Sequence, residues 1–250
     1  MLQSYKTQLI SRNQLSGDTV IFRFQLIEPD QFTFSAGQYM MLLVPQPDGL
    51  YLRRLYSIAS STEDKKTFEL LIKLVEGGAA GEYLKNIKVG DSITFNGPAG
   101  IFTLKESPRK KILMATGCGI APIRSILLSN SEFKIQNSEF YLFWGMKHYD
   151  EIYLLEELMQ LTNKNGNSNF FLCLSREQNK EKIPAEYKDN VLLGHIDQGL
   201  EQVLSANFLK DTNLANYDYY LCGSRTVIES QRLYLAQKGI PKEQIFFEKF

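Results

Sequence analysis

The spacing of apolar residues changes character near Leu104-Lys105-Glu106-Ser107-Pro108-Arg109, and that change limits this 250-residue chain to a two-part fold. Before it, Val20, Phe22, Phe24 and Leu26 alternate with polar or smaller neighbours. Further strand-like runs cover Tyr39–Val44, Leu55–Ile58 and Phe68–Val75. Turn residues separate them at Ser16-Gly17-Asp18, Glu28-Pro29-Asp30, Pro45-Gln46-Pro47-Asp48-Gly49 and Lys88-Val89-Gly90-Asp91. Short strands at this spacing predict an antiparallel Greek-key β-barrel, with one short helix at about Ala80–Asn86. After residue 109, strands and helices alternate. Lys111–Ala115 leads into a helix opened by Pro122, and Phe140–Trp144 precedes a helix near Ile152–Leu161. Phe170–Leu174 and Tyr219–Leu221 read as two more strands, the second followed by a helix to about Lys238 that Gly239 and Pro241 stop. Asn163–Asn169 reads as a polar loop. Such alternation predicts a Rossmann-like parallel α/β domain. The expected division is 1–106 and 107–250.

Charge and cysteine content exclude several classes of function. Lys+Arg and Asp+Glu balance at 28 each, which removes a bulk-charge argument for nucleic acid or an anionic membrane. The basic triplet Arg109-Lys110-Lys111 reads as solvated surface. Three scattered cysteines, Cys118, Cys173 and Cys222, form no C-x-x-C and fall short of the four that a plant-type iron–sulfur cluster needs. No metal site is expected. Met1–Lys6 lacks the layout of a signal peptide, and no apolar run approaches transmembrane length. A cytoplasmic protein without a membrane span is the expectation.

Five short stretches carry chemistry. Arg54-Leu55-Tyr56-Ser57 puts a guanidinium, a ring and a hydroxyl on one predicted strand, with Arg54 and Tyr56 on the same face. That set suits a planar, phosphate-bearing cofactor. It equally suits a plain strand with one exposed Arg and one core Tyr, and these residues alone leave both open. Thr116-Gly117-Cys118-Gly119-Ile120-Ala121-Pro122 runs from a strand into a helix, where glycines let backbone approach a pyrophosphate and the helix start offers N–H groups. It is not the G-x-G-x-x-G fingerprint, because Pro122 holds the last place. Ser175-Arg176 closes a strand at the edge where ligands of parallel sheets sit, and the pair suits a 2′-phosphate; Glu177 beside it offers a carboxylate that would suit a ribose hydroxyl instead. Cys222-Gly223-Ser224 is again strand into helix, where a buried Cys ordinarily fills space. The chain closes on Glu248-Lys249-Phe250.

Taken in order, these motifs resemble the ferredoxin–NADP reductase family, from Gly37-Gln38-Tyr39 through Phe250. The resemblance implies that Arg54, Leu55, Tyr56 and Ser57 hold FAD together with Ile72, Lys73, Gly78, Ala79, Ala80 and Gly81, and that the Phe250 ring covers the flavin. It implies that Thr116, Gly117, Cys118, Lys147, Ser175, Arg176, Cys222 and Gly223 hold NADP(H). Ser57, Cys222 and Glu248 would be the catalytic set, with Ser57 bonding flavin N5. Two departures stand out: Gly81 replaces the family's usual Ser or Thr, and a loop carrying an adenine-stacking Tyr is missing between Val75 and Gly77. FAD is favoured and FMN stays open.

The implied reaction is hydride transfer between NADP(H) and flavin, with single electrons passing to or from a ferredoxin or flavodoxin. NADPH is favoured over NADH and a monomer is expected. Alternatives are the NAD(P)H reductase component of an oxygenase system, a reductase of free flavins, or a flavin-bearing electron-transfer subunit of a larger complex.

Overall fold

The structure is a computed structural model that describes residues 2–133, 140–164, 167–209 and 211–250. In chain order its elements are β1 (Gln3–Ser16), β2 (Thr19–Glu28), β3 (Tyr39–Pro45), β4 (Tyr51–Ser57), β5 (Thr67–Lys73), α1 (Ala79–Asn86) and β6 (Ser92–Ala99). There follow β7 (Lys110–Thr116), α2 (Ile120–Phe133), β8 (Phe140–Met146), α3 (Leu155–Thr162), β9 (Asn163–Lys164) and β10 (Asn167–Ser168). The last are β11 (Phe170–Leu174), β12 (Val191–Leu193), α4 (Ile196–Ser205), β13 (Tyr217–Gly223), α5 (Arg225–Gln237) and β14 (Ile245–Lys249). Contacts divide them into two units, Met1–Lys105 with Ala121–Phe133, and Glu106–Ile120 with Lys134–Phe250.

The first unit is an antiparallel barrel with strand order β4-β3-β6-β1-β2-β5. Period-two burial drives it: Phe22, Phe24 and Leu26 of β2 face inward between exposed Arg23 and Gln25. The insertion of β6 between β3 and β1 is a Greek-key crossing. The open edges of β4 and β5 meet just past β4, where Ile58 bridges Leu70 and the Ala59 N–H donates to the Glu69 carbonyl at 2.8 Å. Closure of this kind removes the aggregation-prone edges of an open sheet. Phe24, Phe68 and Phe95 fill the interior edge to face. Helix α2 contributes a polar clamp to this unit. Arg124 donates to the Ala59 carbonyl at 2.7 Å and to Glu69 at 2.8 Å, and Ser125 Oγ donates to the Ser60 carbonyl at 2.7 Å.

The second unit is a parallel sheet of order β12-β11-β8-β7-β13-β14, covered on both faces as its continuous apolar runs require. Every residue of β13 is buried. Ile112, Tyr141, Phe171 and Tyr219 belong to one core cluster with Leu200 of α4 and Ile228 of α5. The strand order reverses between β7 and β13, the position at which open α/β sheets bind ligands.

Three expectations are corrected. The helix placed near Ile152–Leu161 starts only at Leu155; a short 3₁₀ turn covers Tyr149–Glu151, and Leu154 adopts φ 54° before the helix begins. The expected loop Asn163–Asn169 carries the antiparallel pair β9 and β10; residues 165–166 lie outside the described residues. Lys111 is not solvated. It lies opposite Asp218 in the β7–β13 register, is 2% exposed, and donates to Asp218 at 2.9 Å, to the Arg109 carbonyl at 2.6 Å and to Ser107 at 2.8 Å. A basic triplet gives no sign of which cation enters a sheet; the partner across the ladder decides it. No helix among the described residues is long and apolar enough to cross a membrane.

Asp218→Asn leaves the buried ammonium without its counter-charge and should cost about 3–5 kcal/mol. Urea denaturation followed by circular dichroism would read this as a lower midpoint. The double change Lys111→Met/Asp218→Leu should recover most of it, and an unaltered midpoint in the single variant would show the pair to be dispensable.

Candidate functional site

In the barrel, β4 carries Arg54 and Tyr56 on the face shared with Leu52, and both Leu52 and Tyr56 pack partly against the core. Burial raises the Tyr56 phenol above its ordinary range and the neighbouring Arg54 charge partly offsets this, so the two side chains are close enough to interact. Arg54 is exposed, and its guanidinium donates to the Arg53 carbonyl at 2.9 Å. Ser57 pairs with Tyr39 on β3 and is half-buried, while Leu55 stands exposed. A strand thus holds a half-covered ring beside a cation at the surface.

The β5–α1 segment adds a helix start. Gly78 is the N-cap and supplies no side-chain hydrogen bond to the first turn. Helix geometry leaves the N–H groups of the first turn without intrahelical acceptors, so an acceptor from outside can take them. Gly81 has a steric cause: a Cβ built there would lie 2.5 Å from the Val75 carbonyl oxygen. The tight β5–α1 connection brings Val75 over the helix, and a Ser or Thr hydroxyl has no room. Lys73 is exposed, whereas Ile72 turns its side chain into the barrel core and has only backbone to offer a ligand.

In the second unit, the glycine turn closes on β13. Gly117 has φ +51°, a conformation that favours glycine. A Cβ on Gly119 would lie 2.3 Å from the Cys222 carbonyl oxygen, and one on Gly223 would lie 2.2 Å from Thr116 Oγ1. Gly119 and Gly223 therefore let the turn pack directly on the end of β13, closer than any side chain would allow. Cys222 is buried, and its thiol is held well above the usual range by burial and then by Glu248, so it stays protonated. Glu248 is its partner in the β13–β14 register, and the Phe250 N–H extends that ladder by donating to the Gly223 carbonyl at 3.3 Å. The chain end is thus tied beside Cys222, although the Phe250 side chain is exposed.

At the ends of β8 and β11, the Arg176 N–H donates to the Lys147 carbonyl at 3.0 Å, and both side chains are exposed. Ser175 Oγ reaches the Met146 carbonyl at 3.3 Å. Glu177 is occupied: the Tyr149 N–H donates to it at 3.1 Å and His148 lies 3.4 Å away. The Tyr149 bond, countered by burial and aided by His148, holds its carboxyl below the usual range. Next to it opens a cleft of about 500 Å³ lined by Tyr149, Ile152, Tyr153, Leu154 and Tyr187. The sequence reading missed Tyr149 and Tyr187, because their pairing depends on two loops converging from different strands. Cys173 is wholly buried in the core and Cys118 is half-buried in the glycine turn. Among the described residues, no group of His, Cys, Asp and Glu could hold a metal ion.

The family profile of the oxidoreductase FAD-binding domain matches residues 6–104, and that of the oxidoreductase NAD-binding domain matches residues 113–232. The chain belongs to the ferredoxin–NADP reductase family, with FAD and NAD(P) as its cofactors. It is 29% identical to the reductase component of propane 2-monooxygenase from Mycolicibacterium smegmatis, over 100% of this chain and 68% of that protein. It is 26% identical to ferredoxin–NADP reductase B of Sorangium cellulosum, over 99% of this chain and 98% of that one. A ferredoxin NADP+ reductase structure from Neisseria gonorrhoeae with bound FAD and NADP matches with a TM-score of 0.81 and 20% identity, covering 100% of this chain and 99% of that one.

Gly81→Ser should destabilise the protein by about 1–3 kcal/mol through overpacking against Val75. Scanning calorimetry reads this as a lower thermal midpoint. An equal or higher midpoint would mean that the Val75 segment yields.

Proposed function

We propose that the chain is a ferredoxin– or flavodoxin–NADP(H) reductase, with residues 1–106 as the FAD part and 107–250 as the nucleotide part. The observation that carries this reading is a Tyr–Arg strand and an uncapped helix start within one unit and, within the other, a glycine turn packed on the end of β13 at the strand-order reversal. Arg54 neutralises the FAD pyrophosphate, Tyr56 covers one face of the ring, and Ser57 donates toward N5. Leu55, Lys73 and the Ile72 backbone border the ring. With no hydroxyl at residue 81, the N–H groups at Gly78–Gly81 bind phosphate. FAD held by these residues would supply the exchange between hydride, a two-electron unit, and single electrons. Thr116, Gly117, Cys118 and Gly223 orient the dinucleotide, while Cys222 as a neutral thiol and Glu248 line the place of its reactive ring. Phe250 is set to compete for the flavin face.

Ser175, Arg176 and Lys147 favour NADPH over NADH, since a hydroxyl and two exposed cations suit a 2′-phosphate, while Glu177 is bonded to the Tyr149 N–H and His148 rather than offered to a ribose hydroxyl. The Tyr149–Tyr187 cleft offers aromatic surface for adenine. The partner is a small electron carrier. Cysteines that form no disulfide among the described residues suit a cytoplasmic setting, and a monomer is the proposed state.

The likeness to the propane 2-monooxygenase reductase component favours a second reading, in which the carrier serves an oxygenase. Stopped-flow transfer from the NADPH-reduced protein to a ferredoxin, a flavodoxin and an oxygenase-type iron–sulfur carrier separates the two by rate. Transfer to none of them would overturn both.

Dye reduction by the purified flavoprotein should run at least tenfold more efficiently with NADPH than with NADH. Arg176→Ala should raise KM for NADPH about tenfold, the loss of one charged hydrogen bond, and leave KM for NADH nearly unaltered. Equal efficiencies for both nucleotides in the unaltered protein would remove the 2′-phosphate role.

A further inference from the structure

Beneath the glycine turn stands the chain's single tryptophan, Trp144 of β8. Its side chain is fully buried, and its indole N–H donates to the Gly117 carbonyl at 3.1 Å. The ring also meets Tyr153 edge to face, with centroids 5.0 Å apart. The Tyr153 hydroxyl in turn reaches Cys118 Sγ at 3.9 Å. An aromatic pair therefore touches two consecutive residues of the turn from the buried side.

Register explains the placement. Trp144 pairs with Ala115 on β7, Ala115 pairs with Cys222 on β13, and Cys222 pairs with Glu248 on β14. Paired residues in adjacent parallel strands share a face, so the indole lies in the same row as the two residues proposed to line the nicotinamide's place.

Gly117 lacks a side chain and stands at φ +51°, with nothing within 4 Å of where a Cβ would be. Local sterics do not orient it, so the bonds its carbonyl accepts must. Those come from the Ile120 N–H, which closes the turn, and from the indole. The peptide unit is planar and trans, so the Gly117 carbonyl and the Cys118 N–H point in opposite directions. Drawing the carbonyl down onto a buried indole sends the Cys118 N–H outward, the direction from which an anionic pyrophosphate would come.

We propose that Trp144 is a positioning residue for the dinucleotide: its indole N–H sets the Gly117–Cys118 peptide plane and with it the affinity of the turn for the pyrophosphate. This rests on the assignment of the turn to NAD(P) made above. Trp144 touches no substrate. It acts through the Gly117 carbonyl, on binding rather than on the hydride step.

Because Trp144 is the only tryptophan, it can be replaced throughout by β-(3-benzothienyl)alanine in a tryptophan-auxotrophic host. The replacement keeps the ring's shape and substitutes sulfur for the N–H. In the FAD-loaded protein, the Kd for NADP+ by titration of the flavin absorbance should weaken about fivefold to tenfold, and KM for NADPH should rise in parallel. The kcat with a dye acceptor should stay within twofold, and the visible flavin spectrum and thermal midpoint should not move. Tyr153→Phe, which removes only the contact to Cys118, should weaken NADP+ binding less. Unaltered Kd in the benzothienyl protein overturns the role of Trp144, as does a loss of kcat or thermal midpoint equal to the loss of affinity. If the unsubstituted protein neither binds NADP+ nor oxidises NADPH or NADH, the assignment of the turn fails first and takes the proposal with it.

Discussion

The second unit is organised by one close approach, the meeting of the β7 glycine turn with the end of β13. Gly119 packs against the Cys222 carbonyl and Gly223 against Thr116, both nearer than any Cβ allows. The strand order reverses between these two strands, so their outgoing connections diverge and leave a crevice. Only side-chain-free backbone lets the crevice floor be built from main chain. Much else follows from that contact: Cys222 arrives at the floor, Glu248 is carried in beside it by the β13–β14 ladder, and the chain end is tied to Gly223.

Buried charge does structural work in both units. In the sheet, Lys111 and Asp218 neutralise each other at the opposite end of the same two strands, with Ser107 also bonded to Asp218. In the barrel, Arg124 spans the Ala59 carbonyl and the Glu69 carboxylate just past β4. Removing one partner of such a pair strands the other in low dielectric, so each pair discriminates strongly between correct and slipped packing. The His148–Glu177 contact is different in kind. It lies near the surface, where ion pairs contribute little stability.

The barrel carries a steric constraint of its own. Gly81 follows from the short path between β5 and α1, which lays the Val75 carbonyl against the helix. The first turn of α1 therefore presents backbone and no hydroxyl at this position, and the N–H groups of a helix start are polarised toward anions.

Much of this molecule was legible in residue order alone. Alternation through Val20–Leu26 and the strand–helix rhythm after residue 109 report burial periodicity, which local sequence encodes directly, and both the barrel and the parallel sheet are observed. Arg54-Leu55-Tyr56-Ser57, the glycine turn and Ser175-Arg176 stand out because each groups its chemistry within a few consecutive residues. What remained hidden depends on neighbours distant in the chain. Lys111 looked solvated until β13 brought Asp218 opposite it. Glu177 looked available until the loop after β8 brought Tyr149 and His148 to it. Gly81 looked like a lost contact until Val75 was seen against it. Trp144 is core, and only the β7–β8 register puts its N–H under Gly117. Sequence determines which residues alternate, turn and cap, since those are local free energies. Which polar groups meet is decided by strand order and register, which only the folded chain possesses.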